Sequence, residues 1–209
     1  ACAPYRRLHL CDYNLEKMGT KKIDNKHDLL AEVCMAAKYE GESIKTHLEQ
    51  YKVQYPSSGS SFTLCTMLAR SFADIGDIIR GKDLYRGDKK KDQQEKVRLE
   101  ENLKKIFKNI YDNLVREKPQ AEARYQDKNG GNFFKLREDW WTANRHTVWE
   151  AITCDVKSGS QYFRQTCGGD KENTATRASH QCRCDGANVD PPTYFDYVPQ
   201  YLRWFEEWA

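Results

Sequence analysis

No run of about 18 apolar residues occurs in this 209-residue sequence, so no segment reads as a membrane-spanning helix. No Asn-x-Ser/Thr triplet occurs, which removes N-linked glycan as a surface feature. No Cys-x-x-Cys pair occurs, which excludes the commonest zinc-knuckle and dithiol redox motifs. A nucleophile elbow, a phosphate-binding glycine loop and a His-Glu-x-x-His pair are all missing. The histidines (His9, His27, His47, His146 and His180) are scattered. His180, Cys182 and Cys184 stand close together, but their spacing does not suit zinc, and disulfide bonding is the better account of the cysteines. Asp139 and Glu150 fall on one helix, three turns apart, and read as solvated charges. These absences leave no reading as an enzyme and call for no cofactor and no metal. No secretory leader is visible before the abrupt Ala1-Cys2 start, so the chain is expected to be a segment of a larger protein.

What the sequence does contain is cysteine, aromatics and charge. Eight cysteines stand at positions 2, 11, 34, 65, 154, 167, 182 and 184. An even, well-spread set of this kind is a disulfide framework from an oxidising compartment, and spacing alone leaves the pairing open. Aromatic residues at 12% argue against disorder. Charged residues at 31% and a mean hydropathy of −0.89 describe a very polar surface. The net charge of +3 hides a gradient. Residues 80–118 hold 13 basic and 8 acidic side chains, whereas residues 185–209 hold one basic and five acidic.

The chain is organised around Phe62–Tyr85. Phe62, Cys65, Leu68, Ala69, Phe72, Ile75 and Ile79 recur at helical steps, with Ser60 or Ser61 as N-cap and Gly81 as C-cap. Gly76 lies inside this helix and predicts close approach of another backbone. An earlier helix capped by Asp24 or Asn25 carries Leu30, Val33, Ala37, Ile44, Leu48 and Tyr51 on one face. A long helix over Gln93–Glu117 carries Leu99, Leu103, Ile106, Ile110 and Leu114, and Pro119 ends it. Residues 136–153 form another helix, in which the adjacent Trp140 and Trp141 cannot both point fully inward. A last helix follows Pro199, with Tyr201, Trp204, Phe205 and Trp208 as its apolar face. Residues 1–23 are expected to be irregular and 155–192 a sulfur-stapled loop; no segment has convincing strand alternation. The fold class is all-α, a disulfide-stapled helical bundle with long loops. The turn-rich Tyr55–Ser60 stretch divides it into an N-terminal subdomain, 1–56, and a helical-bundle subdomain, 57–209.

Five blocks carry a family resemblance: CAPYRRLHLCDYNLE at 2–16, LLAEVCMAAKYEGESI at 29–44, CTMLARSFADIGDIIRGKDLY at 65–85, WWTANRHTVWEAITC at 140–154 and PQYLRWFEEW at 199–208. Together they resemble the Duffy-binding-like (DBL) domains, most closely the alpha class of the malaria-parasite erythrocyte membrane proteins. The resemblance implies the first two of three DBL subdomains, with further residues on either side and partners for Cys2 and Cys11 lying outside this chain. It implies a Cys65–Cys154 disulfide, closing a loop of roughly 90 residues. It implies an adhesin displayed on the outer face of the infected erythrocyte membrane, which meets host erythrocyte or endothelial receptors and adjacent domains of its own chain.

Against that background the basic cluster is the leading site. Arg80, Lys82, Arg86, Lys89, Lys90 and Lys91 fall within twelve residues. Lys104, Lys105 and Lys108 follow at helical spacing. Such a surface can hold a sulfated glycan such as heparin by charge. The competing reading is an ordinary solvated face, since Glu95, Glu100 and Glu101 interleave. The alternative function is a scaffold that positions a neighbouring cysteine-rich receptor-binding domain and has no ligand of its own. Nucleic acid is ranked low as a partner because the cysteine framework does not suit a reducing compartment. Arg86-Gly87-Asp88 is the tripeptide that integrins read, but tripeptides are frequent by chance. Arg6 and Arg7 are expected as structural partners of acidic residues. The tryptophans are expected in the core.

Overall fold

The computed structural model describes residues 2–18, 25–55, 63–127, 130–167, 175–185 and 190–208. Two short helices, α1 (Tyr5–Leu8) and α2 (Tyr13–Lys17), lead into α3 (Lys26–Gln54), α4 (Leu64–Arg80) and α5 (Lys90–Glu117). Then come α6 (Ala121–Tyr125), α7 (Phe134–Ile152) and, after a 3₁₀ turn at Phe195–Tyr197, α8 (Gln200–Trp208). An antiparallel pair, β1 (Gln165–Cys167) and β2 (Thr176–Arg177), lies in the loop between α7 and α8, with Gln165 opposite Arg177. Strands this short leave no alternation in a sequence, which is why patterning misses them.

The central helix is α4. Thr63 caps it, its hydroxyl accepting from Thr66 N at 3.3 Å; Ser60 and Ser61 lie outside the described residues, as does most of the 55–60 boundary stretch. Cys65, Leu68, Phe72, Ile75 and Ile79 are buried against α3 and α7, and the helix closes at Gly81 with φ +73°. Gly76 does face a close neighbour, but it is an indole ring rather than a backbone. A Cβ there would stand 2.7 Å from the Trp141 ring. The backbone approach occurs instead at Gly41 of α3, where a Cβ would meet Ile152 O at 2.1 Å.

Asn25 caps α3, its side chain accepting from the His27 and Asp28 N–H groups. Val33, Ala37, Ile44 and Leu48 are buried as the periodicity requires, while Tyr51 is exposed. Leu99, Leu103, Ile106 and Ile110 of α5 are buried too. Both Trp140 and Trp141 are buried. Trp141 packs on Phe72 of α4, ring centroids 5.1 Å apart, and Trp140 meets Phe107 of α5 edge-on at 6.1 Å. The rule that neighbours on a helix diverge holds; α7 simply has a partner on each side.

The disulfide expected between Cys65 and Cys154 does not form. Cys65 bonds to Cys182, Cα atoms 5.5 Å apart, and Cys167 bonds to Cys184. Trp149 of α7 donates to the Cys182 carbonyl at 3.1 Å and so holds that loop across the start of α4. Cys154 sits in the turn after α7 as an exposed thiol, near Lys38 and Glu42 of α3 rather than α4. Cys65–Cys182 spans 117 residues, so it removes about 4–5 kcal/mol of unfolded-state entropy on the chain-closure argument. Non-reducing peptide mapping will recover a Cys65–Cys182 peptide, and Cys182→Ala will lower the melting temperature by about 10 °C or more. Recovery of Cys65 joined to Cys154 would overturn this pairing.

Candidate interaction surface

The second face of α4 decides which charges are free. Ser71, Asp74, Asp77 and Arg80 recur every three residues and are all buried. An unpaired buried charge is costly, so each has partners. Asp74 receives Arg6 Nη2 on one oxygen and Arg203 Nη2 on the other, both at 2.7 Å. Asp77 takes Arg203 at 2.6 Å and Arg80 at 2.8 Å. Gln200 Nε2 donates to Asp74 at 3.1 Å and to Asp83 at 2.9 Å, and Arg7 pairs with Asp83. Ser71 donates to Glu40 of α3 at 2.6 Å, and Cys11 N donates to the other Glu40 oxygen. Arg6 and Arg7 are therefore structural, as expected.

Burial alone would push the Asp74 carboxyl up, but Arg6, Arg203 and Arg7 outweigh it and hold the group below the ordinary carboxylate range. Glu40 is the opposite case. Burial pushes it up, and Ser71, the Cys11 N–H and Arg6 offset only part of that.

Arg80 cannot be a ligand-binding residue. It is 1% exposed and donates to Gly76 O, Asp77 and Asp196 O. Its place in the helical period, on the buried ladder, takes it out of the basic cluster. Lys82 is half exposed and ion-paired to Glu138. Arg86, Lys89, Lys90 and Lys91 are exposed around the N-terminus of α5, and Lys105 and Lys108 are exposed further along it. Lys108 bonds Asp112 at 2.6 Å. A groove of about 520 Å³ between residues 81–86 and α5 brings Arg86 and Lys104 to one cleft, with Tyr85, Val97 and Glu101. Exposed Arg98, absent from the sequence reading, lies on the same outer stripe of α5 as Lys90, Val97 and Glu101. Its helical spacing from Lys90 and Glu101 was the available signal.

The interleaved acids are fewer than they look. Glu100 turns inward, bonding Arg137 at 2.7 and 3.0 Å, and Arg137 in turn donates to the Ile78 and Ile79 carbonyls at the end of α4. Its charge is thus taken up by a buried arginine.

A family model for the Duffy binding domain matches residues 1–203. The chain belongs to the Duffy-binding domain family. The structure of the NTS-DBL1α domain of PfEMP1 from the varO strain of Plasmodium falciparum superposes with a TM-score of 0.75 at 44% identity, over 100% of this chain and 43% of that one. The varO NTS-DBL1α and CIDRγ double domain gives 0.74 at 42% identity, over 100% of this chain and 27% of that one. A PfEMP1 DBLβ domain bound to ICAM-1 gives 0.67 at 29% identity, over 100% and 44%. The chain therefore spans less than half the length of these DBL chains. A comparison with curated proteins finds no match. DBL membership agrees with the helical fold stapled by disulfides.

In one DBL helix, α8, only Trp204 of the four aromatic residues expected to face inward does so. In α8 the buried side chains are Gln200, Arg203 and Trp204, while Tyr201, Leu202, Phe205 and Trp208 are exposed. The inward side of α8 faces the charged ladder of α4, so Gln200 and Arg203 belong there beside Trp204, and Tyr201, Phe205 and Trp208 face outward.

Removing one partner of the ladder leaves buried charges unmatched. Asp74→Asn will cost about 3–5 kcal/mol. Wild-type stability will fall as the pH drops below the ordinary carboxyl value of 3.8, because a depressed group contributes stability that is lost on protonation. Glu40, being raised, acts with opposite sign, its ionisation costing stability as pH rises past its ordinary value of 4.5. Thermal melts of wild type and Asp74→Asn between neutral and acid pH will show a shallower acid limb in the variant; identical limbs would refute the role of Asp74.

Proposed function

We propose that this chain is an adhesion module of a PfEMP1-type variant surface antigen on the infected erythrocyte, and that it binds host-cell receptors through the outer face of α5 and the turn before it. The ligand class is an anionic glycan, such as heparan sulfate or a red-cell surface sugar. The chemistry is electrostatic capture, without covalent steps. The observation that carries this reading is the inward capture of Glu100 by Arg137, which leaves Arg86, Lys89, Lys90, Lys91, Lys104 and Lys105 exposed or half exposed with less acid between them.

Three lysines at a helix N-terminus also oppose the helix dipole, a local cost to folding that becomes an attraction once an anion sits there. Lys89 occupies the N-cap position, with no side-chain bond to the free N–H groups of the first turn.

The outward aromatic face of α8 favours a second reading. Tyr201, Phe205 and Trp208 are more than half exposed, the kind of surface that a neighbouring domain of the same chain would cover. In that reading the chain positions a receptor-binding neighbour.

Retention of the oxidised chain on heparin across a salt series separates the two. Wild type will be retained at low salt and elute as salt rises, because screening weakens exposed charge pairs. The triple variant Lys89→Ala, Lys90→Ala, Lys91→Ala will elute at distinctly lower salt with unchanged helicity. Absence of retention by the folded wild type would leave the positioning role, and retention unchanged in the variant would move the glycan site off α5.

A further inference from the structure

The loop between α4 and α5 carries a second recognition element that charge capture does not use. Arg86 is exposed and makes no hydrogen bond or ion pair among the described residues. Asp88 is exposed two residues later. Between them Gly87 holds φ +91°, a conformation side chains rarely adopt. A Cβ at Gly87 would lie 2.7 Å from Gln93 N, so the turn is pressed onto the first turn of α5 and only glycine fits. Gln93 Nε2 donates to Gly87 O at 3.4 Å from the same side. Upstream, the Tyr85 ring is held under the Arg7 guanidinium at 4.8 Å. The loop is therefore anchored on both sides of the tripeptide, with the guanidinium and the carboxylate left outside. Anchoring of this kind lowers the ordering cost of binding.

We propose that Arg86-Gly87-Asp88 is an integrin-recognition turn. Its partner is a receptor with an acidic pocket for a guanidinium and a bound divalent cation with an open position for a carboxylate. The Asp88 carboxylate completes that coordination and Arg86 enters the pocket. A hard divalent cation takes oxygen ligands of this type. Asp92, one helical turn along, bears on the same chemistry. Its carboxyl group, half-buried, is pushed up by the nearby Asp88 carboxylate, which is itself exposed. Two ionised carboxylates so placed repel each other, and a cation presented by a partner relieves that repulsion. Lys89, Lys90 and Lys91 flank the site, so the receptor's acidic pocket meets a basic surround. The inference does not depend on the glycan reading.

The test is adhesion of the oxidised chain to purified, immobilised vitronectin-receptor integrin in Mn²⁺. Binding is expected to be abolished by EDTA and competed by a soluble Arg-Gly-Asp peptide but not by its Arg-Gly-Glu counterpart. Asp88→Glu keeps the charge and moves the carboxylate; it will lose at least about tenfold in affinity while its elution from heparin stays unchanged. Gly87→Ala will lose a similar factor with unchanged helix content, because the turn cannot keep its shape. Cation-independent binding, or binding equal in wild type and Asp88→Glu, would overturn the proposal, as would absence of binding by the wild type. Full adhesion by Gly87→Ala would overturn the role assigned to the turn.

Discussion

The structure depends on Asp74. Its two oxygens take Arg6 from the first helix and Arg203 from the last, each at 2.7 Å. Two parts of the chain separated by nearly its whole length are thereby joined through one carboxylate at the centre of α4. Burying charge is costly unless geometry and partners are complete, and here completeness demands α1, α4 and α8 together. Arg203 also reaches Asp77, Asp77 reaches Arg80, and Arg80 reaches the Asp196 carbonyl. Asp196 is itself gripped through both oxygens by Arg145 at 2.9 Å. The ladder is a specificity device more than a source of stability. An alternative packing of α8 or of the N-terminal segment would strand buried charges rather than lose a few apolar contacts.

That constraint sorts the surface. With α4 occupied on every side, apolar toward α3 and α7 and polar toward α1 and α8, the central block has little freedom to change. The outer face of α5 is the opposite. Leu99, Leu103, Ile106, Phe107 and Ile110 are buried, Tyr111 and Leu114 pack beside them, and Lys96, Glu100 and Asn102 bond inward, so it is the remaining outer side chains that can vary at a cost usually within about 0.5 kcal/mol each. A rigid bundle that presents a freely variable charged face suits an adhesion surface, where loops and outer stripes carry function on a fixed scaffold.

Much of this was legible in the sequence, for identifiable reasons. Long stripes such as Leu99–Leu103–Ile106–Ile110 report a helix face directly, and Gly81 and Asn25 report helix ends. What the stripes lack is a sign. The period of α8 marks Tyr201, Trp204, Phe205 and Trp208 as one face, but it cannot say that only Trp204 of these turns inward, together with Gln200 and Arg203. That follows only from Asp74 and Asp77, more than a hundred residues earlier. The same holds for Arg80, indistinguishable in sequence from Lys82 and Arg86 yet carried inside by the α4 ladder. Disulfide pairing failed for a related reason. The family resemblance joined two helices, whereas the observed partner of Cys65 comes from an irregular loop tied to α7 through Trp149, which donates to the Cys182 carbonyl, and Arg183, which donates to the Glu150 carbonyl.

The two recognition modes argued for this surface share Arg86. Capture of an anionic glycan is long-ranged, tolerant of geometry and screened within about 8 Å at physiological salt. Reading of the Arg-Gly-Asp turn is short-ranged, dependent on a cation and intolerant of a carboxylate moved by one methylene. A guanidinium that has entered a receptor's acidic pocket is no longer available to a sulfate, so one Arg86 serves one ligand at a time. Lys89, Lys90 and Lys91 lie beyond the turn and stay available in either case. The physical consequence is an ordering. The lysines concentrate the chain at an anionic cell surface, and the anchored turn then discriminates among what is found there.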